Sequence, residues 1–350
     1  PGIIEAGVTK GSTVAIIVTA FLASALLTAR VRRYLLGRKV LDMPNGRSSH
    51  SVAVPRGGGA SIVVVFLLAV LWLAQRGIMS GGVGAALVGG GLLIATVGMF
   101  DDYFGLSARL RLLIHFAAAA WALWQLDGVG PLHLGWITWD WGWGGQVVAL
   151  VGLVWMTNLY NFMDGIDGIA GVESICASGL GALLLTWVGL GGLATGTLVL
   201  TGASAGFLVW NWQPAKIFMG DVGSGFLGFV FGVLVIASAR ERPLLLWPWL
   251  ILLSVFIVDS TLTLLRRLIT GARWYEAHRS HAYQHAARCW SSHSTITLTI
   301  ATVNTIWLFP FALGACVWPA AGPLLAVVAL APLVCTALHY GAGRGAPVAD

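Results

Sequence analysis

The sequence predicts an all-α polytopic membrane protein with its chemistry gathered at the cytoplasmic face. Three observations carry that prediction. The composition is 57% hydrophobic and 10% charged, with a mean hydropathy of +0.84, a balance outside the range of soluble domains. About 11 apolar segments are long enough, or nearly so, to cross about 30 Å of hydrocarbon at about 20 residues each. Lys and Arg divide sixteen to four between alternate loops, and the richer side is cytoplasmic under the positive-inside rule. Residues 1–350 read as a single integral-membrane domain without a clear internal repeat.

The first segment, Ser12–Ala29, lacks a basic leading region and an A-x-A cleavage site, so it reads as a retained helix rather than a signal peptide. Gly58–Gln75 and Val83–Phe100 follow. In the latter, Gly89, Gly90 and Gly91 allow close helix contact. Leu110–Leu126 is the fourth segment and Gln146–Tyr160, a short one, the fifth. Gly191 and Gly192 mark the turn between Ile169–Val188 and Leu193–Trp210. Val222–Ala239, Leu244–Leu265, Ser294–Val317 and Ala320–Leu338 complete the set. Eleven crossings place the N-terminus in the periplasm and the C-terminus in the cytoplasm. The outer loop from Asp127 to Gly145 holds Trp136, Trp139, Trp141 and Trp143, which fits an interfacial belt on a small hairpin.

The net charge of +6 sits in loops flanking apolar spans. That favours membrane orientation and an anionic substrate over nucleic acid. Cys176, Cys289, Cys316 and Cys335 form no CxxC pair, so neither a zinc site nor a disulfide framework is indicated.

The most informative stretch is N-L-Y-N-F-M-D-G-I-D-G-I-A-G, Asn158 to Gly171. It packs Asn158, Asn161, Asp164 and Asp167 into ten residues, where acidic groups are costly unless functional. Asn161 and Asp164 share one helical face. Gathered oxygen ligands suit a hard cation such as Mg²⁺. A plain polar cap between two helices accounts for one Asp and one Asn, not for all four.

Four more polar stretches fall on the same side. The first inside loop offers Arg47, Ser48, Ser49, His50 and Arg56 to an anion, and Gly57 to Gly59 let backbone N–H groups approach a ligand. Asp101 and Asp102 end the third segment, with Arg109 and Arg111 opening the fourth. Adjacent carboxylates raise each other's proton affinity, which suits a base or a metal neighbour. Asp221 stands in G-D-V-G-S, either as a helix cap or as a metal ligand beside a phosphate site, and Phe218 could stack on a base. His278, His281 and His285 recur at i, i+3 and i+7 among five arginines. This pattern favours phosphate over zinc. Asp259, deep in the ninth segment, reads as a structural ion pair with an inside arginine.

Together these motifs closely resemble the polyprenyl-phosphate N-acetylhexosamine-1-phosphate transferases, glycosyltransferase family 4 in the wider sense. The matching elements are D-M-P-N-x-R-S-S-H with P-R-G-G-G, D-D-Y-F-G-L-S, N-L-Y-N-F-M-D-G-I-D-G, I-F-M-G-D-V-G-S and H-R-S-H-A-Y-Q. Their order covers nearly the whole chain. The resemblance implies transfer of N-acetylhexosamine 1-phosphate from a UDP-sugar to undecaprenyl phosphate, giving the lipid diphospho-sugar and UMP. It implies Mg²⁺, with Mn²⁺ as a substitute, and the bacterial inner membrane, and it leaves a homodimer open. By motif, Asp221 looks like the principal metal ligand with Asn161 beside it. Asp101 and Asp102 resemble the pair that prepares or positions the lipid phosphate. Asp164 and Asp167 fall where relatives line the nucleotide site, Asn158 stands at the same stretch, and Phe218 falls where an aromatic meets uracil. Arg111 corresponds to a phosphate holder. From the residues themselves, His278, Arg279 and His281 sit among Arg266, Arg267 and Arg273, which suits a loop closing over the donor diphosphate.

That loop is the departure. H-R-S-H is similar to the subgroup that starts O-antigen and argues against the phospho-MurNAc-pentapeptide translocase, leaving GlcNAc, FucNAc or QuiNAc as the sugar. Two other classes fit less well. A transporter of lipid-linked sugar would place polar groups near the bilayer midplane, and CDP-alcohol phosphotransferases carry an Arg that D-G-I-D-G-I-A-G lacks.

Overall fold

The computed structural model describes residues 10–39, 41–43, 53–271 and 279–344. The described chain is mostly helical. Its helices are α1 (Lys10–Gly37), α2 (Ala60–Gln75), α3 (Gly81–Ala85), α4 (Gly91–Phe104), α5 (Ala108–Gln125), α6 (Gly142–Met163), α7 (Ile169–Trp187), α8 (Gly191–Asn211) and α9 (Asp221–Glu241). They continue as α10 (Leu246–Leu252), α11 (Ser254–Ile269), α12 (Ala282–Trp290), α13 (His293–Thr302), α14 (Phe309–Val317) and α15 (Gly322–His339). Ala86–Gly90 and Val303–Leu308 are π-helical turns that join α3 to α4 and α13 to α14.

Among the described residues, eight helices are long and apolar enough to cross a membrane. A ninth span is the pair Pro243–Leu252 and Ser254–Ile269, bent by 73°. The remaining two expected spans are also helical, but α2 has only 16 residues and α5 opens with Arg109 and Arg111. The segment expected to run unbroken from Leu244 to Leu265 is instead broken at Leu253, whose backbone leaves the helical region at φ −94° and ψ 3°. Local signals set several helix starts. Ser80, Ser107 and Ser292 accept the N–H of Val83, Leu110 and Thr295 at 3.3, 3.3 and 3.2 Å, which satisfies donors that the first turn leaves orphaned.

The core is built around α9, whose side chains from Val222 to Leu234 are buried. Phe226 meets Phe66 edge-on at 5.9 Å, and Phe231 stacks on Tyr160 at 5.6 Å. Gly90 and Gly91 lie against Phe229 and Phe226, so the expected close helix contact at this glycine run is present. Asn304, in the second π-helical turn, donates to the buried Glu173 of α7 at 2.7 Å. Two short antiparallel ribbons complete the described chain. β3 (Leu132–Leu134) and β4 (Ile137–Trp139) form the expected tryptophan hairpin, with Trp136 exposed. β1 (Leu41–Asp42) pairs with β2 (Val54–Pro55) at the base of the first polar loop.

Candidate active site

The site is assembled where residues 55–59 zip onto residues 218–219. The Phe218 N–H donates to Pro55 O at 2.8 Å, the Gly57 and Gly58 N–H groups donate to Phe218 O at 3.1 and 2.9 Å, and the Gly59 N–H donates to Met219 O at 2.9 Å. This pairing brings Arg56 beside the start of α9. Gly59 and Gly223 are packed backbone on backbone, so that a Cβ on Gly59 would lie 2.4 Å from the Gly223 Cα. Gly220 has φ +77°, and a Cβ there would lie 2.5 Å from a carboxylate oxygen of Asp102. Only glycine tolerates both the backbone and the contact.

Asp102, at the end of α4, caps α9 from outside. Its Oδ1 accepts the Asp221 N–H at 2.9 Å and its Oδ2 accepts the Val222 N–H at 3.1 Å. A carboxylate at a helix N-terminus meets both orphan donors and the positive end of the helix dipole. Arg56 then bridges two acids, with Nε 2.8 Å from Asp102 Oδ1 and Nη2 on Asp221 Oδ1. Burial works against the Arg56 charge, but Asp221 and Asp102 more than offset it and raise its proton affinity. Arg111 performs the same bridging on the other side. Its Nη1 contacts Asp101 Oδ2 and lies 3.2 Å from Asp221 Oδ2. The Leu106 N–H holds Asp101 Oδ1 at 2.6 Å. Asn161 donates to Ser224 Oγ at 2.9 Å and borders Asp221.

Asp164, just after α6, is half-buried and faces Arg56 and Asp221. Among the described residues its carboxylate has no hydrogen-bond or ion-pair partner. Burial pushes it well above its ordinary proton affinity. Arg56 pulls the other way, and Asp221, Asp102 and Asp167 add to the rise.

Four acids thus stand against two guanidiniums, which leaves room for added positive charge. No group of three or more His, Cys, Asp or Glu residues is pre-arranged as a cage among the described residues. That donor set fits Mg²⁺, which takes one or two carboxylates and completes its shell with water and phosphate oxygens. Asp221 and Asp164 are the carboxylates here that could hold it, whereas Asn161, expected beside Asp221 as a ligand, spends its amide N–H on Ser224.

Asn158 and Asp167, two other expected site residues, make contacts away from the start of α9. Asn158 donates to Val154 O at 2.7 Å and lies 3.2 Å from His115 Nδ1. Asp167 accepts the Ala215 N–H at 3.1 Å and lies 3.6 Å from His293, so it braces two loops. Phe218 is half-buried within the pairing described above. Arg279 O accepts from Arg288 at 3.3 Å. Arg47, His50 and His278 lie outside the described residues.

Two expectations are corrected. His281 and His285 do not share a helical face, because α12 begins at Ala282 and His281 is its N-cap. Among the described residues, Asp259 does not take the expected arginine. It receives the Ala282 and Tyr283 N–H groups at 2.9 Å each, Thr263 at 3.1 Å and His281 Nδ1 at 3.3 Å. His281 is accordingly buried beside Asp259. His115 was not singled out from sequence. Its position one turn after Arg111 on α5, at i+4, is the signal that places it at the site.

Residues 84–239 match the family described as Glycosyl transferase family 4. The chain is 28% identical to a probable undecaprenyl-phosphate N-acetylglucosaminyl 1-phosphate transferase of Bacillus subtilis, over 83% of each chain. It is 29% identical to a decaprenyl-phosphate N-acetylglucosaminephosphotransferase of Mycolicibacterium smegmatis, over 85% of this chain and 80% of that one. It is 31% identical to a phospho-N-acetylmuramoyl-pentapeptide-transferase of Moorella thermoacetica, over 78% of this chain and 88% of that one.

Proposed function

We propose, for a chain that belongs to glycosyl transferase family 4, that it transfers N-acetylglucosamine 1-phosphate from UDP-GlcNAc to undecaprenyl phosphate and releases UMP. The observation that carries this reading is the start of α9, where Asp101, Asp102 and Asp221 share two arginines beside the unpartnered Asp164. Arginine forks suit phosphate as well as carboxylate. Arg56 and Arg111 exchange carboxylate oxygens for diphosphate oxygens when the donor binds. Asp102 stays on the first amides of α9 and keeps Asp221 in place.

A lipid phosphate oxygen attacks the phosphorus next to the sugar, and the bond to the bridging oxygen breaks, so that UMP leaves with that oxygen. The lipid phosphate is already anionic near neutral pH and needs positioning more than activation. Asp221 and Asp164 would hold Mg²⁺, which when bound would supply neutralisation of the diphosphate and of the leaving UMP.

The matched N-acetylglucosamine relatives support the choice of sugar. A phospho-MurNAc-pentapeptide donor is the second reading, supported by the Moorella relative. Eleven crossings with a periplasmic N-terminus, a bacterial inner-membrane location and the start of a cell-surface polysaccharide such as O-antigen complete the proposal, supported by the sixteen-to-four division of basic residues. The test is to incubate purified protein with undecaprenyl phosphate, Mg²⁺ and a panel of UDP-sugars that includes UDP-MurNAc-pentapeptide, and to measure UMP. Release with UDP-GlcNAc is expected. Release with the pentapeptide donor alone would select the second reading, and no release with any donor would refute both.

A further inference from the structure

We infer that Asp259 and Tyr283 are positioning residues for Asp164. They hold the carbonyl of Phe162, and through it the turn that carries the unpartnered carboxylate. The catalytic part of this inference rests on the reading of Asp164 given above.

The chain of contacts starts in α11. Asp259 is buried and receives four donors, two of them the first backbone N–H groups of α12 at 2.9 Å each. Helix α12 has only nine residues, too few to persist on their own propensity. The Asp259 cap therefore fixes both its start and its direction. That start aims Tyr283, itself buried, back across the end of α6.

There the Tyr283 hydroxyl donates to Phe162 O at 3.1 Å. Phe162 lies in the last turn of α6, where carbonyls have no partner within the helix. Asp164 follows two residues later, its own N–H on Asn161 O at 3.2 Å. Gly165 completes the clamp. A Cβ there would lie 2.1 Å from the Tyr283 hydroxyl oxygen, so the turn can press on the phenol only with glycine in that place. A neighbouring hydrogen bond, Ser260 to Leu159 O at 3.4 Å, ties α11 to the same end of α6.

Among the described residues, the hydrogen bonds of Tyr283 run to Asp259 and Phe162 and not to Asp221, Arg56 or Arg111. Its effect reaches the chemistry only through the place where it holds Asp164. An electrostatic group must stand where charge develops, and a small displacement weakens it in the transition state more than in the ground state.

The test uses Tyr283→Phe, which keeps the ring and deletes the hydroxyl, and Asp259→Asn, which weakens the cap. Hydrogen exchange of residues 161–168 in the full-length protein should speed up in both variants. Turnover of UDP-GlcNAc by Tyr283→Phe should fall about fivefold, the worth of one neutral hydrogen bond, with KM unchanged. In an Asp164→Asn background the same change should cost nothing further. Unchanged exchange in both variants would overturn the inference. So would a fivefold loss that persists in the Asp164→Asn background, since Tyr283 would then act elsewhere. If the parent protein turns over no UDP-sugar, the functional reading fails, while exchange alone still decides whether Tyr283 and Asp259 hold this turn.

Discussion

Two helices in this molecule begin in the same way and do different work. At α9, both oxygens of Asp102 accept the first two backbone N–H groups, at 2.9 and 3.1 Å. At α12, both oxygens of Asp259 do the same, at 2.9 Å each. Each cap comes from another helix. The surroundings then diverge. Beyond Asp259 stand Thr263 and a buried His281, both bonded to it. Beyond Asp102 stand two half-exposed arginines, Asp101, Asp221 and the unpartnered Asp164. A carboxylate on a helix start is therefore not by itself the mark of the proposed reaction centre. The charge left over once the cap is made is what distinguishes it.

The sharpest way to break this comparison is to remove the left-over charge. Asp221→Asn keeps the shape and both backbone contacts of Asp102. It should cost about a hundredfold or more in turnover, the scale of one electrostatic group aimed at developing charge, while detergent-extracted protein unfolds at nearly the parent temperature. Turnover within a few-fold of the parent would return Asp221 to the role of helix terminus. Arg56→Lys comes next. Lysine cannot span Asp102 and Asp221 with one rigid fork, so kcat/KM should fall about tenfold, the worth of a charge-assisted contact. A steady-state assay showing no loss would remove Arg56 from the donor site.

The caps themselves should weigh alike in folding. Asp102→Ala and Asp259→Ala each delete a bidentate cap, and each should lower stability by about 1–2 kcal/mol from the cap alone, read as matched falls in unfolding temperature. A much larger fall for Asp102 would show that the Arg56 pair, and not the cap, carries its stability.

The smallest effect concerns pH. Burial raises the proton affinity of Asp164 in the folded protein. A carboxyl raised in the folded state leaves stability intact below its unfolded value and costs stability as pH rises toward the folded value. Asp164→Asn should therefore unfold at a higher temperature than the parent at neutral pH, with the gain vanishing in acid. A variant less stable at neutral pH would contradict the placement of that side chain.

The sequence displays the helices and the acids that matter, because apolar runs and single charged residues are local signals. Asn161, Asp164 and Asp221 stand out as costly groups among hydrocarbon, and Gly220 and Gly223 announce a tight helix start. The caps are invisible to that reading. Asp102 and Asp221 are 119 residues apart, and nothing near either reveals that one carboxylate is committed to the other's backbone. His281 is misleading for a related reason. Its spacing to His285 fits one helical face, yet the helix starts between them, where Asp259 takes the first amides. Pro248 is visible in the ninth span, but the bend falls at Leu253, five residues on.

Phosphosugar transfer is proposed for the start of α9 and not for the start of α12. The most direct measurement is the mass of the lipid product from undecaprenyl phosphate, UDP-GlcNAc and Mg²⁺, made in parallel by the parent, Asp221→Asn and Asp259→Asn. Expected are undecaprenyl-diphospho-GlcNAc from the parent, nearly none from Asp221→Asn, and a yield within about tenfold of the parent from Asp259→Asn, which loses only a positioning contact. Full product from Asp221→Asn together with none from Asp259→Asn would contradict it and move the reaction centre to the other helix.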